Sequence, residues 1–264
     1  MEYTGNIYKM RTEHTEPITY YLMHSEGELK LNDLLGKQLS LQFKGIINCV
    51  SCGKKTKTSF GQGYCYPCFM NSPENEPCVL RPELCQAHLG IARDMEYAQT
   101  HCLQEHIVYL AVSSEIKVGV TRKTQMPTRW IDQGASFSAV LARTPNRYTA
   151  GLIEVALKAH FTDKTNWQKM LKNEIGANNL AEMLKIAKEK LPSELQIYCT
   201  NEPQEFEFKY PVQQFPKKVK SLSFDKEMVV QGILTGIKGQ YLYFDYENVI
   251  NIRKHNGYLV QISF

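Results

Sequence analysis

Two pairs of cysteines limit what this chain can fold into more than any other feature. Cys49-x-x-Cys52 runs into Gly53, and twelve residues then separate it from Cys65-x-x-Cys68. Each pair delivers two thiolates to one point from a tight turn, and Gly53 tolerates the positive φ that such turns often need. Two such turns complete a tetrathiolate, a closed tetrahedral site suited to Zn²⁺. The residues between them, Lys54-Lys55-Thr56-Lys57-Thr58-Ser59, are basic and polar, as in a zinc-ribbon knuckle. Disulfides are the competing use of paired cysteines. The opening Met1-Glu2-Tyr3-Thr4-Gly5-Asn6-Ile7-Tyr8 lacks the basic-then-apolar pattern of a secretory leader. A reducing, cytoplasmic location is therefore expected, and zinc is the better reading. Zinc at such a site contributes roughly 10–16 kcal/mol to folding, so the role is structural.

A second group of soft donors follows: Cys78, Cys85, His88, His101, Cys102 and His106, six within 29 positions. Pro82 favours a helix start, and a helix from Glu83 to Cys102 would put Cys85 and His88, three apart, on one face. Cys78, Cys85, His88 and Cys102 form the expected second zinc set, with His101 or His106 as the rival fourth ligand. Three ligands with an open position would instead make a zinc that transforms a small molecule or modified nucleotide.

From His106 the pattern changes. His106-Ile107-Val108-Tyr109-Leu110-Ala111-Val112 is an apolar, β-branched run of strand length, and Lys117-Val118-Gly119-Val120-Thr121 is a second strand. A helix over 124–134 is expected, with Thr124 as N-cap, Pro127 in the first turn and Gly134 as stop. A strand from Phe137 to Arg143 and a helix from Asn146 to Phe161 complete the order strand, strand, helix, strand, helix.

This module resembles the GIY-YIG nuclease superfamily. Val108-Tyr109 falls on the first family triplet and Lys117-Val118-Gly119 on the second, with Lys117 where a tyrosine is usual. The resemblance assigns Arg129 to the helix arginine, Glu154 to the metal-binding glutamate and Asn166 to the late asparagine. It implies phosphodiester hydrolysis of DNA or RNA, with Mg²⁺ or Mn²⁺ on Glu154. Arg129 would clamp the phosphate through its planar fork of donors. A tyrosine accepts water's proton only as phenolate, which costs roughly 4 kcal/mol at neutral pH from a reference pKa of about 10. Lys117, on the adjacent strand, is the cation expected to lower that cost for Tyr109. Taken singly these residues have ordinary readings. Tyr109 fits a core tyrosine, while Arg129 with Asp132 and Glu154 with Lys158 have the spacing of helical ion pairs. The competing function is a catalytically silent module that grips nucleic acid or protein and is stabilised by zinc. The stretch Arg81-Pro82-Glu83-Leu84-Cys85 with Ala87 to Glu96 also resembles an uncharacterised bacterial family of unknown function.

The flanks read as β structure. Ile18–Met23 and the alternating Leu39–Gly45 are strand-like, as are 229–239, 240–245, 249–253 and 257–264. Leu180–Leu191 carries one apolar helical face ringed by Lys185, Lys188 and Lys190, and Phe206–Tyr210 alternates as a half-buried strand. The expected organisation is a β-rich segment over 1–48, a Cys/His zinc-binding region over 49–105, the αβ module over 106–200 and a β-rich domain over 201–264. The class is α+β, with the terminal β segments meeting in a small barrel or curled meander. A net charge of +4 permits a nucleic-acid partner. No apolar run approaches the roughly 20 residues of a membrane span.

Overall fold

The alternation of Leu39 and Leu41 with Ser40 and Gln42 makes a strand with one dry face, and the largest sheet is built on it. The computed structural model describes residues 1–161, 165–176 and 179–264. They divide into two units, Met1–Asn71 with Phe208–Phe264, and Ser72–Glu207. The cysteine-rich 49–105 stretch is thus shared between them, the first four cysteines in one unit and the next three in the other.

In chain order the first unit begins with β1 Glu2–Asn6, β2 Arg11–Glu13, β3 Thr19–His24, β4 Gly27–Lys30, β5 Gln38–Asn48, β6 Lys55–Thr56 and α1 Tyr66–Asn71. The second unit holds α2 Met95–His101, β7 His106–Val112, β8 Ile116–Arg122, α3 Thr128–Asp132 and β9 Phe137–Thr144. It continues with α4 Arg147–Leu157, α5 Trp167–Leu171, α6 Leu180–Lys190, α7 Ser193–Gln196 and β10 Glu205–Glu207. The chain then returns to the first unit with β11 Lys220–Leu222, β12 Val229–Lys238, β13 Tyr241–Phe244, β14 Asn248–Asn251 and β15 Tyr258–Ser263.

The two ends of the chain do meet. In the first unit β15 lies between β1 and β5, antiparallel to both, and the sheet order is β1-β15-β5-β12-β13-β14-β11, with β6 also on β5. The expected barrel does not close. Closure needs the first and last strands of the path to pair, whereas β1 and the three-residue β11, which joins β14 in parallel, remain its two edges. The class is mixed α+β with several open sheets.

The second unit carries a four-stranded antiparallel sheet, β10-β9-β7-β8. Strand β7 is buried along its whole length, as an interior strand should be. Val108, Leu110, Val112, Val118 and Leu141 of the sheet form one core with Ala150, Ile153 and Leu157 of α4 and Leu184 and Ala187 of α6. Asn146 caps α4 by accepting from the Thr149 N–H at 2.9 Å.

Two helices differ from expectation. The helix over 124–134 starts later, because a residue before proline avoids the α region. Met126 is accordingly extended, Lys123–Gln125 form a single 3₁₀ turn, and α3 begins after Pro127. The helix over Glu83–Cys102 is broken into 3₁₀ turns at Pro82–Leu84 and Ala87–Leu89. Gly90 then takes φ +78, and Asp94 caps α2 by accepting from the Tyr97 N–H. Cys85 and His88 therefore share no helix face. Among the described residues no helix is long and apolar enough to cross a membrane.

Lys238 on β12 is fully buried, its Nζ 5.1 Å from the Tyr210 ring and 5.4 Å from that of Phe215. Burial pulls its pKa down from 10.5 to about 7. The unfolded chain binds the extra proton between those values, so stability should rise with pH across that window. We expect a gain of about 2 kcal/mol from pH 7 to 9, and Lys238→Met should flatten it. Denaturant unfolding at the two pH values checks this; equal slopes for both proteins would refute it.

Candidate metal centres and the Tyr109 site

The first four cysteines sit on two turns held by backbone hydrogen bonds. Beyond β5 the chain reverses: Cys49 N–H donates to Lys54 O and Gly53 N–H to Cys49 O, both at 2.9 Å, and β6 returns along β5. Cys65 precedes α1, and Cys68 lies within it. Phe60 packs against Tyr66 at 5.4 Å and Phe69 at 6.1 Å beneath this second turn. The four Sγ atoms all lie within 4.8 Å of one another, with Cys52 and Cys65 at 3.8 Å. Burial disfavours the Cys49 thiolate, but N–H groups of Cys52, Cys65 and Ser51 outweigh it and bring Cys49 down to about 6. Hydrogen bonding with Cys65 and Cys52 pushes Cys68 up to about 12. Thiolates crowded this way repel one another, and a divalent soft ion would neutralise that charge.

Cys78, Cys85 and Cys102 form the second group, again within 4.8 Å of one another and all buried. Thiol hydrogen bonds from Cys78 and Cys85 hold Cys102 well below its usual range, and Arg147 adds a further favourable charge. Cys78 and Cys85 are correspondingly raised, each first by its hydrogen bond with Cys102. His88 lies outside the group, exposed and stacked on Tyr148 at 4.3 Å. His101 stacks on Tyr97 and holds Tyr97 O through Nδ1. Both cysteine clusters could hold metal ions such as zinc.

The second cluster is fixed to α4 by contacts that sequence reading missed. Arg147 N–H donates to Cys102 O at 2.9 Å, while its guanidinium donates to Cys78 O at 3.3 Å and His101 O at 3.1 Å. One turn on, a Cβ at Gly151 would lie 2.2 Å from Glu83 N and 2.4 Å from Pro82 C. The turn leading to Cys85 thus rests on the helix backbone itself.

The Tyr109 site is assembled from four elements. Tyr109 pairs with Gly119 across β7 and β8, and a Cβ at 119 would stand 2.7 Å from the phenol oxygen. The ring packs edge-on against Trp130 at 5.5 Å, and its hydroxyl donates to Gln133 Oε1 at 3.0 Å. Burial raises the Tyr109 pKa; Arg129 opposes this through charge and a hydrogen bond, and Glu154 reinforces it. Arg129 from α3 thus favours the phenolate, and the charge of Glu154 from α4 disfavours it. Glu154 is nearly buried and pairs with Lys158 at 3.6 Å. The cation acting on Tyr109 is thus Arg129. Lys117, paired with Ala111 and 5% exposed, donates to Thr165 Oγ1 at 2.9 Å. Asn166 serves as the cap of α5, accepting from the Lys169 N–H at 3.1 Å.

A family model described as "Protein of unknown function (DUF2797)" matches residues 36–260. This accords with the uncharacterised family to which the Arg81–Glu96 motif pointed. No curated protein matches the chain, and no solved structure does.

Protein produced in zinc-supplemented medium should carry two zinc equivalents by elemental mass spectrometry. Cys65→Ser and Cys102→Ser should each remove one, and full retention in either variant would exclude that cluster. Gly151→Ala should cost about 1–3 kcal/mol of stability through overpacking and make one of the two zincs more sensitive to chelator. An unchanged chelation profile would show that the turn is not held by this contact.

Proposed function

Because the chain belongs to the DUF2797 family, whose description assigns no activity, we propose from the site itself that it is a GIY-YIG-like, divalent-metal-dependent phosphodiesterase acting on DNA or RNA. One arrangement carries this reading: Tyr109, packed on Gly119 and Trp130, feels the opposing charges of Arg129 and of Glu154, 25 positions apart in the chain. The strand order supports it too, since β7 pairs with β8 and β9 on either side, and α3 and α4 follow as the resemblance requires.

The residues divide the work by charge. Arg129 is partly exposed and presents a planar cation to a phosphodiester's non-bridging oxygens. Glu154 supplies one hard oxygen ligand, which fits an ion that takes its remaining positions from water and substrate. Mg²⁺ or Mn²⁺ on Glu154 would polarise the phosphoryl group. Burial keeps Tyr109 a neutral phenol whose proton goes to Gln133 Oε1, so its oxygen is left to accept a hydrogen bond from the attacking water and orient it rather than to take its proton as base. Lys117 and Thr165 hold the adjacent strand position.

A second reading is a nuclease-shaped module that binds nucleic acid without cutting it. It is favoured by the burial of Tyr109, 1% exposed and already bound to Gln133. Labelled single- and double-stranded DNA and RNA, incubated with purified protein and Mg²⁺ or Mn²⁺, separate the two. Cleavage should fall at least 100-fold in Glu154→Gln and in Arg129→Lys, about 2.7 kcal/mol of barrier, with the fold retained by circular dichroism. Retention on a filter without cleavage would establish the binding module. Cleavage that survives both variants would move the chemistry elsewhere.

A further inference from the structure

We infer that Cys78, Cys85 and Cys102 hold a zinc ion with three protein ligands and leave its fourth position open to a thiol-bearing small molecule. This does not rest on the reading of Tyr109. Only three donors converge here among the described residues, whereas four converge at Cys49–Cys68. The side chains that could supply a fourth lie outside the group. His88 stacks on Tyr148 and His101 on Tyr97. His106 directs Nδ1 to Gln104 O at 2.7 Å, and its buried Nε2, without a hydrogen-bond partner, does not join the three sulfurs, which makes it the rival that the test must address. Glu76 accepts from the Arg93 N–H at 2.9 Å, and its other oxygen is 4.0 Å from Cys78 Sγ.

What stands beside the triad is a cavity of about 570 Å³, lined by Cys78 and Cys85 together with Glu76, Leu84, Ile91 and Ala92. Ala92 also packs against the buried cluster to which the three cysteines belong. The wall shared by cavity and sulfurs thus ends in a methyl group, which can donate nothing to a metal. A three-ligand zinc that faces a cavity is the arrangement of sites that exchange a ligand, unlike the closed tetrathiolate.

The ligand class follows from charge and shape. Three thiolates make the ion a soft acceptor, so a soft sulfur donor is favoured over a hard anion. Exposed Leu84 and Ile91 make the mouth apolar, which suits an organic thiol better than a bare ion. A thiol that coordinates gives up its proton, which passes to solvent through the cavity.

Cobalt-loaded full-length protein tests this by absorption spectroscopy. Titrating 2-mercaptoethanol should shift the visible bands of one of two cobalt ions saturably, with new near-ultraviolet sulfur-to-metal absorption and no metal lost. Imidazole and inorganic phosphate should act at least tenfold more weakly. Ala92→Cys should keep both ions and abolish the response by closing the site, and His106→Ala should leave the response unchanged. A wild-type spectrum unmoved by thiol would overturn the proposal, as would a response appearing only in His106→Ala, which would make His106 the fourth ligand. Equal effects of thiol and imidazole would overturn the ligand class.

Discussion

The backbone of the Pro82–Leu84 turn lies against Gly151 with no space for a methyl group between them, and much of the second unit depends on that contact. The helix involved, α4, is committed on both sides. Ala150, Ile153 and Leu157 enter the core above β7 and β9, while Gly151 and Arg147 receive the segments that carry Cys85, Cys78 and Cys102. Interiors packed to crystal density transmit such constraints over several residues. The same helix then carries Glu154 two turns beyond Arg147, so whatever orders the thiol triad also bears on the Tyr109 site.

That site shows two opposing effects on one phenol. Desolvation favours the neutral form, and Arg129 favours the ionised one, with desolvation the larger. Tyr109 lies across the glycine of an edge strand, so its hydroxyl reaches the sheet margin where α3 and α4 both approach. A residue with any side chain at 119 would push the phenol off that position. The geometry therefore uses Gly119 for space, and Tyr109 gains both its burial and its access to Arg129 from it.

The two cysteine clusters differ in a way that bears on function. The tetrathiolate is made of short-range turns, a hairpin from β5 to β6 and the start of α1, and its donors come from 20 consecutive residues, 49–68. The triad draws on three separate pieces of chain, two 3₁₀ turns and the end of α2, and is buried against Tyr148 and Arg147. Local turns make a closed structural site with little help from the rest of the protein. The triad, spread over residues 78–102, is shaped by its contacts with α4, and it stands beside a cavity.

Much of this was legible in the residues alone, because local physics decided it. Cys-x-x-Cys spacing brings sulfurs together whatever surrounds them, alternation in Leu39–Phe43 and the apolar run at 106–112 give strands, and Asn146 caps the helix that follows it. No continuous helix forms over 83–102, because Gly90 takes a left-handed φ and Asp94 caps a new helix, local signals that the spacing of Cys85 and His88 does not carry. Open edges rather than a barrel, the departure of His88 from the metal group and the pairing of Lys117 with Thr165 depend on contacts between residues far apart in the chain. So does the packing of Tyr109 against Gly119 and Trp130. Donor chemistry and element type were set by the sequence itself; which donors face one another was decided only by how the elements pack, because side-chain direction over long separations is a property of the core and not of spacing.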